Sequence, residues 1–262
     1  MAVALLTFFT LFIVSIIANL LSALAGGGAG LLQFPALLFL GLNFATALAT
    51  HKIASVALGV GATYRHMRQN RLQPGMAFFI LAAGLPGVVV GANVILWVPD
   101  QFAKIVLGVF TIALGAYSVF SPELGMNEGN RQLNTGSKVV GAVGLLLIGI
   151  LNGSITSGTG LFVTIWLVSW FGMSYSRAVT YTLVLVGIFW NGVGAVTLAL
   201  QTQVQWNWLP PLIIGALLGG YLGAHWSIAK GNRLVKRAFE GLTLLVGLSL
   251  IVQASSAGNT AL

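Results

Sequence analysis

A run of glycines breaks the first apolar segment of the chain: AGGGAGLLQFP, Ala25 to Pro35, lies inside a stretch that is otherwise apolar from Ala2 to Leu42. In hydrocarbon, unwound backbone has no water to satisfy its N–H and C=O groups. Such a break survives only where protein or an aqueous cavity covers it. A second break reads NGSITSGTGLF, Asn152 to Phe162, so that Gly28-Ala29-Gly30-Leu31-Leu32 is echoed by Gly158-Thr159-Gly160-Leu161-Phe162. Two matched breaks in one chain predict a binding site.

The membrane setting follows from composition, with 57% hydrophobic and 6% charged residues against about 25% charged in soluble domains. Apolar runs of about 20 residues point to spanning helices, since barrel strands would alternate over segments of about 10. The twelve Lys and Arg sit mostly in short connections, where they report orientation across the bilayer rather than contact with nucleic acid. The absence of Cys excludes disulfides and thiolate metal sites, and three His without paired carboxylates give no metal-ligand spacing. Of four acidic residues, Asp100, Glu123 and Glu128 fall in connections and Glu240 early in the last helix. No catalytic pair is formed, so neither an enzyme nor a cofactor is expected. Ala23-Leu24-Ala25 resembles a signal-peptidase site, but no basic region precedes it and the apolar run is too long; residues 1 to 25 are read as part of the fold.

Apolar runs predict about eight helices, near 2–24, 44–64, 75–97, 102–120, 138–151, 175–199, 208–228 and 236–253, with short half-helices at 31–41 and 160–171. The one long polar connection divides the chain into an N-terminal repeat (1–121), a linker (122–137) and a C-terminal repeat (138–262). The halves match along their length: Gly41, Ala47 and Gly61 pair with Gly172, Ala178 and Gly192, and Gly87 and Gly91 with Gly219 and Gly223. Loop charge then sets their relative orientation. Arg65, Arg68 and Arg71 lie in a connection whose counterpart, Gln201 to Trp206, is uncharged, whereas Lys230, Arg233 and Arg237 lie opposite a nearly uncharged one. Matching loops prefer opposite sides, which implies inverted repeats, each a glycine-broken hairpin plus three spanning helices. The run Lys138 to Leu151, about 21 Å long, is shorter than a hydrocarbon core of about 30 Å and would place its break inside the membrane. This reading puts 65–71, 121–138, 172–177 and 229–237 in the cytoplasm and both termini outside. Ala2 to Leu24 is long enough to span outright.

GGGAGLLQFPALLFLGL followed by ALATHKIAS, with a basic loop beyond, resembles the TauE/SafE sulfite exporter family, as do NGSITSGTGLF and the GYLGAH stretch at Gly220 to His225. The resemblance covers essentially the whole chain. It implies a transporter of the bacterial cytoplasmic membrane for sulfite, small organosulfonates or related anions, built from two modules. The family often has Thr-Asn-Lys where this chain has Thr50-His51-Lys52.

Half-helices starting near Gly30 and Gly160 would bring free N–H groups and about half a positive charge each to an anion, with Ser154, Thr156, Ser157 and Thr159 as hydroxyl donors. Tight helix packing is the other use of such glycines, and is preferred for Gly215, Gly219 and Gly223. Lys52, about 12 Å into its helix, carries an intramembrane charge that costs at least about 2.5–3.5 kcal/mol; an anionic substrate would be its counter-charge. The expected substrate-binding set is Gly28, Gly30, Thr50, His51, Lys52, Ser157, Gly158, Thr159, Gly160, Tyr181 and Thr182, the last two matching Thr50 and His51 in the other repeat. Scarce carboxylates favour export driven by membrane potential over ion coupling. Two alternatives stay open: a proton-coupled importer of an organic acid that uses His51, and a non-transporting scaffold subunit. The expected partners are the lipid bilayer and a small anion, and small-residue faces are consistent with a homodimer.

Overall fold

The computed structural model describes residues 2–66, 72–95, 100–129, 134–156 and 158–259, and among these residues every regular element is helical. In chain order they are α1 (Ala2–Ala25), α2 (Gly30–Phe39), α3 (Phe44–His66), α4 (Pro74–Val94), α5 (Asp100–Phe120), α6 (Thr135–Ser154), α7 (Thr159–Ser169), α8 (Tyr175–Tyr181), a π-helix (Thr182–Trp190), α9 (Asn191–Ala199), a 3-10 helix (Trp206–Trp208) and α10 (Leu209–Asn259). α8, the π-helix and α9 follow one another as a single 25-residue span, while Gly231, at φ 71° and ψ −168°, kinks α10 into two. Among the described residues, six helices are long and apolar enough to cross a membrane.

Both glycine breaks are hairpins. Asn19 of α1 donates to Gln33 Oε1 of α2 at 2.9 Å, so α2 folds back beside α1. Trp166 and Trp170 of α7 donate their indole N–H to the carbonyls of Gly141 and Ser137 in α6, at 3.2 and 3.0 Å. One expectation needs correction. α6 is 20 residues long, about 30 Å, longer than the apolar run read from sequence and, by length, enough to cross a core. Asn134 caps its start by accepting from Ser137 N at 2.8 Å, and Ser154 bonds back to Ile150 O at 2.9 Å. These polar side chains extend the helix beyond the apolar run that was read from sequence.

The halves are interlocked rather than side by side. α1 packs along the first part of α10, and α4 along α6. The same contact is made twice: a Cβ on Gly219 or Gly223 would strike the carbonyl of Ile16 or Leu20, and a Cβ on Gly87 or Gly91 that of Leu146 or Ile150. Without a hydrophobic drive between helices in lipid, such close backbone approach supplies the packing. Gly59 of α3 meets Gly187 of the π-helix in the same way.

The charged connections meet on one face. Arg177 pairs with Glu128 at 2.6 Å, Asn232 donates to Met126 O at 2.6 Å, and Lys236 donates to Pro122 O at 3.0 Å. The opposite face carries the uncharged contacts of Gln201 with Asn93 and of Gln205 with Thr50.

Gly91→Val should lower the thermal midpoint of the detergent-solubilised protein, because overpacking against a backbone carbonyl costs about 1–3 kcal/mol. Gly192→Ala, with nothing within 4 Å of the new Cβ, should leave the midpoint unchanged or raise it. Equal midpoints for wild type and Gly91→Val would show that this crossing is not tight.

Candidate functional site

Gly26, Gly27 and Gly28 all have positive φ (84°, 143° and 101°), a region that L side chains rarely adopt. Gly27 has a second constraint, since a Cβ there would lie 2.6 Å from Gly160 Cα. The two breaks therefore touch. Thr164 of α7 donates to Gly26 O at 2.7 Å and lies 2.9 Å from the Thr182 hydroxyl. In the second break Thr156 takes φ 62° and is held by its own hydroxyl, which donates to Asn152 O at 2.9 Å.

A small cavity opens where the breaks meet. α1 contributes Ser22, and the first break Gly28 and Gly30. α3 contributes His51 and Ser55, α6 and the second break Asn152 and Thr156, α7 Thr159 and Gly160, and the π-helix with the start of α9 Thr182 and Asn191. The centre of a water-sized sphere can reach about 40 Å³ of it, room for roughly three waters or one compact oxyanion. The π-helix supplies part of this wall, and such wider turns are frequent at functional sites.

Lys52 is fully buried. Its ammonium donates to Asn152 Oδ1 at 3.2 Å, and Asn152 Nδ2 donates to Thr159 Oγ1 at 2.9 Å. The charge thus stands one side chain behind the cavity wall, with Asn152 as the link. Gly194 leaves the room it needs, since a Cβ there would lie 3.1 Å from Lys52 Cδ, Cε and Nζ. No described carboxylate pairs with Lys52: Glu128 is bound to Arg177, and Glu240 lies 3.8 Å from Lys236.

Of the residues singled out in sequence, Gly28, Gly30, His51, Thr159, Gly160 and Thr182 line the cavity, and Lys52 reaches its wall through Asn152. Gly158 sits at φ 77° as the residue preceding α7. Thr50 is engaged elsewhere, accepting from Gln205 N at 3.0 Å. Tyr181 accepts from Gln73 N at 2.7 Å, and Arg177 lies 5.8 Å from its ring centre. Ser157 lies outside the described residues. Ser22, Ser55 and Asn152 were not singled out, and Asn191, polar and deep in its segment, had no assigned role. A signal existed for Ser55, one turn beyond His51 and facing the same way; its hydroxyl lies 3.1 Å from His51 Nε2.

Asn152→Ala strips the buried ammonium of its one described acceptor and should destabilise the protein by about 1–3 kcal/mol. Adding Lys52→Met should recover most of that loss, because the stranded charge is removed with its partner. Additive losses in a double-mutant cycle of thermal midpoints would show the two residues to be uncoupled.

Comparison with known proteins finds one family and several membrane proteins that the chain resembles. Residues 11–250 match the family described as Sulfite exporter TauE/SafE. A probable membrane transporter protein of Haemophilus influenzae is 28% identical over 227 residues, covering 86% of this chain and 87% of that protein. The probable membrane transporter protein YfcA of Escherichia coli is 26% identical over 226 residues, 86% of this chain and 82% of its own length. The probable membrane transporter protein YdhB of Bacillus subtilis is 22% identical over 239 residues, 88% and 95% of the two chains. No solved structure matches the chain.

Proposed function

The chain belongs to the TauE/SafE sulfite exporter family and is a membrane transporter; we propose that it exports sulfite or a small related anion across the bacterial cytoplasmic membrane, binding it in the cavity between the two breaks. The observation that carries this reading is Lys52, a buried ammonium with a single amide acceptor and no described carboxylate, linked through Asn152 to a cavity sized for a compact oxyanion. A positive charge in that position is stabilised when an anion arrives. The starts of α2 and α7 add N–H groups and partial positive charge.

Transport proceeds by alternating access between two inverted repeats. Supporting the inversion, α1 and α4 each run in the same direction as the helix they touch in the other half, as successive contacts show (Ile16 with Gly219 and Leu20 with Gly223; Gly87 with Leu146 and Gly91 with Ile150). α3 lies antiparallel to α4, because Phe44 and Leu48 at its start share an apolar pocket with Ala92 and Ile95 at the end of α4. Its counterpart, the 175–199 span, runs with α4, as Tyr181 meets Gln73 and Leu198 lies beside Ala92. α3 and its counterpart thus point in opposite directions. The substrate rests where the repeats cross, and rocking one repeat against the other exposes it to each side in turn.

The charged face is cytoplasmic by the positive-inside rule, which leaves both termini outside. The interior of the cell is negative, so leaving it yields an anion about 2.3 kcal/mol per charge per 100 mV. The potential therefore drives export without a coupling ion.

In proteoliposomes loaded with sulfite, an imposed potential alone should drive efflux, and Lys52→Ala should reduce it at least tenfold with normal insertion. An absolute need for a proton or sodium gradient would reject the uncoupled mechanism; unchanged efflux by Lys52→Ala would remove that residue from the site. A periplasm-active reporter fused after Leu262 should be active in cells, and activity of a cytoplasm-only reporter there would overturn the orientation.

A further inference from the structure

Three side chains on the cavity wall carry buried polar atoms with no hydrogen-bond partner: Ser22 Oγ from α1, His51 Nδ1 from α3 and Asn191 Oδ1 at the start of α9. All three residues are more than nine-tenths buried. A buried polar atom without a partner is costly, and three carried by residues that line one cavity describe what a ligand there can offer. The Ser22 hydroxyl can donate to an anion oxygen. Asn191 Oδ1 can only accept, so its partner must be an O–H or N–H. His51 can serve either way, because its Nε2 faces the Ser55 hydroxyl, which can accept its proton or give it one.

Charge narrows the choice further. Among the described residues lining the cavity, His51, on α3, is the one titratable side chain; α1, α2, α6, α7, the π-helix and α9 present none there. Among the described residues, Lys52, behind Asn152, is the charged side chain bonded to the wall. The cost of desolvating an ion grows with the square of its charge, so a dianion needs far more compensation than one ammonium supplies.

Resting on the reading of this cavity as the substrate site, we propose that it selects the singly charged, protonated form of a sulfur oxyanion, hydrogensulfite rather than sulfite dianion, with Asn191 as the specificity-determining acceptor for the ligand's own O–H. The proton travels as part of the substrate. Deprotonation after release regenerates the dianion and leaves one proton on the far side, so atoms and charge balance without a separate proton path through the protein.

The test is equilibrium binding to the purified, detergent-solubilised protein between mildly acidic and mildly basic pH. The probes are sulfite, which changes between mono- and dianion in that range, methanesulfonate, a permanent monoanion without a donor, and sulfate, a dianion throughout. Methanesulfonate corrects for titration of the protein itself. Relative to it, affinity for total sulfite should fall about tenfold for each pH unit above the ligand's own ionisation, and sulfate should bind at least a hundredfold more weakly than sulfite at the acidic end. Asn191→Val should lose about tenfold for hydrogensulfite while methanesulfonate binding persists, which also reports a folded site; Asn191→Thr, isosteric with that valine but carrying a hydroxyl acceptor, should retain more of the preference. Sulfite affinity that rises with pH, tight sulfate binding, or equal loss of both ligands in Asn191→Val would overturn the proposal and leave the transport reading standing. Failure of wild type to bind any of the three would overturn both.

Discussion

Backbone N–H and C=O groups that leave a helix inside a bilayer must find partners within the protein, and the rest of this structure depends on how two such breaks are covered. Each covers the other. Gly27 lies against Gly160, and Gly26 O receives the Thr164 hydroxyl. Meeting in this way creates a polar pocket deep in an apolar protein. Glycine is needed in the first break for its backbone angles and for the closeness of the second, while the second break tolerates Thr156 at positive φ because its hydroxyl is tied to Asn152 O.

The pocket is then shaped by what surrounds the breaks. α3 supplies His51, Ser55 and Lys52 from one helix. Lys52 is turned away from the cavity into room left by Gly194, with Asn152 between charge and cavity. Asn152 belongs to α6, so the cation of one half is held by the amide of the other. Displacing one half relative to the other would alter that contact, which gives the lysine environment a direct mechanical link to the packing of the halves.

Much of this was legible in the chain. Residue-by-residue matching of the halves reflects repeated helix lengths, and the pairs Gly87/Gly219 and Gly91/Gly223 turn out to make equivalent contacts. The glycine motifs marked the cavity because unwound backbone in lipid leaves few alternatives. Side-chain direction was less accessible. Thr50 and Tyr181 were placed at the site by their positions beside His51 and Thr182, yet a step of one residue turns a helical side chain by about 100°, and both bond to loop amides instead. Asn191 entered the wall through the start of α9, just after the π-helix, whose altered residue count per turn no α-helical spacing anticipates. The polar ends of α6 were missed because apolar runs do not register caps and back-bonded serines.

The pairing of α1 with α10 has a consequence for how the protein is made. Ser15 of α1 donates its hydroxyl to Leu212 O at 2.6 Å, and that carbonyl is synthesised 197 residues later. At about 5–20 residues per second, α1 waits roughly 10–40 s for its partner. During that interval the Ser15 hydroxyl lacks its Leu212 partner, whereas Asn19 can already reach Gln33 of α2. The Ser15 hydroxyl, which ties α1 to α10 in the finished transporter, is thus open to early, wrong association until the start of α10 is made.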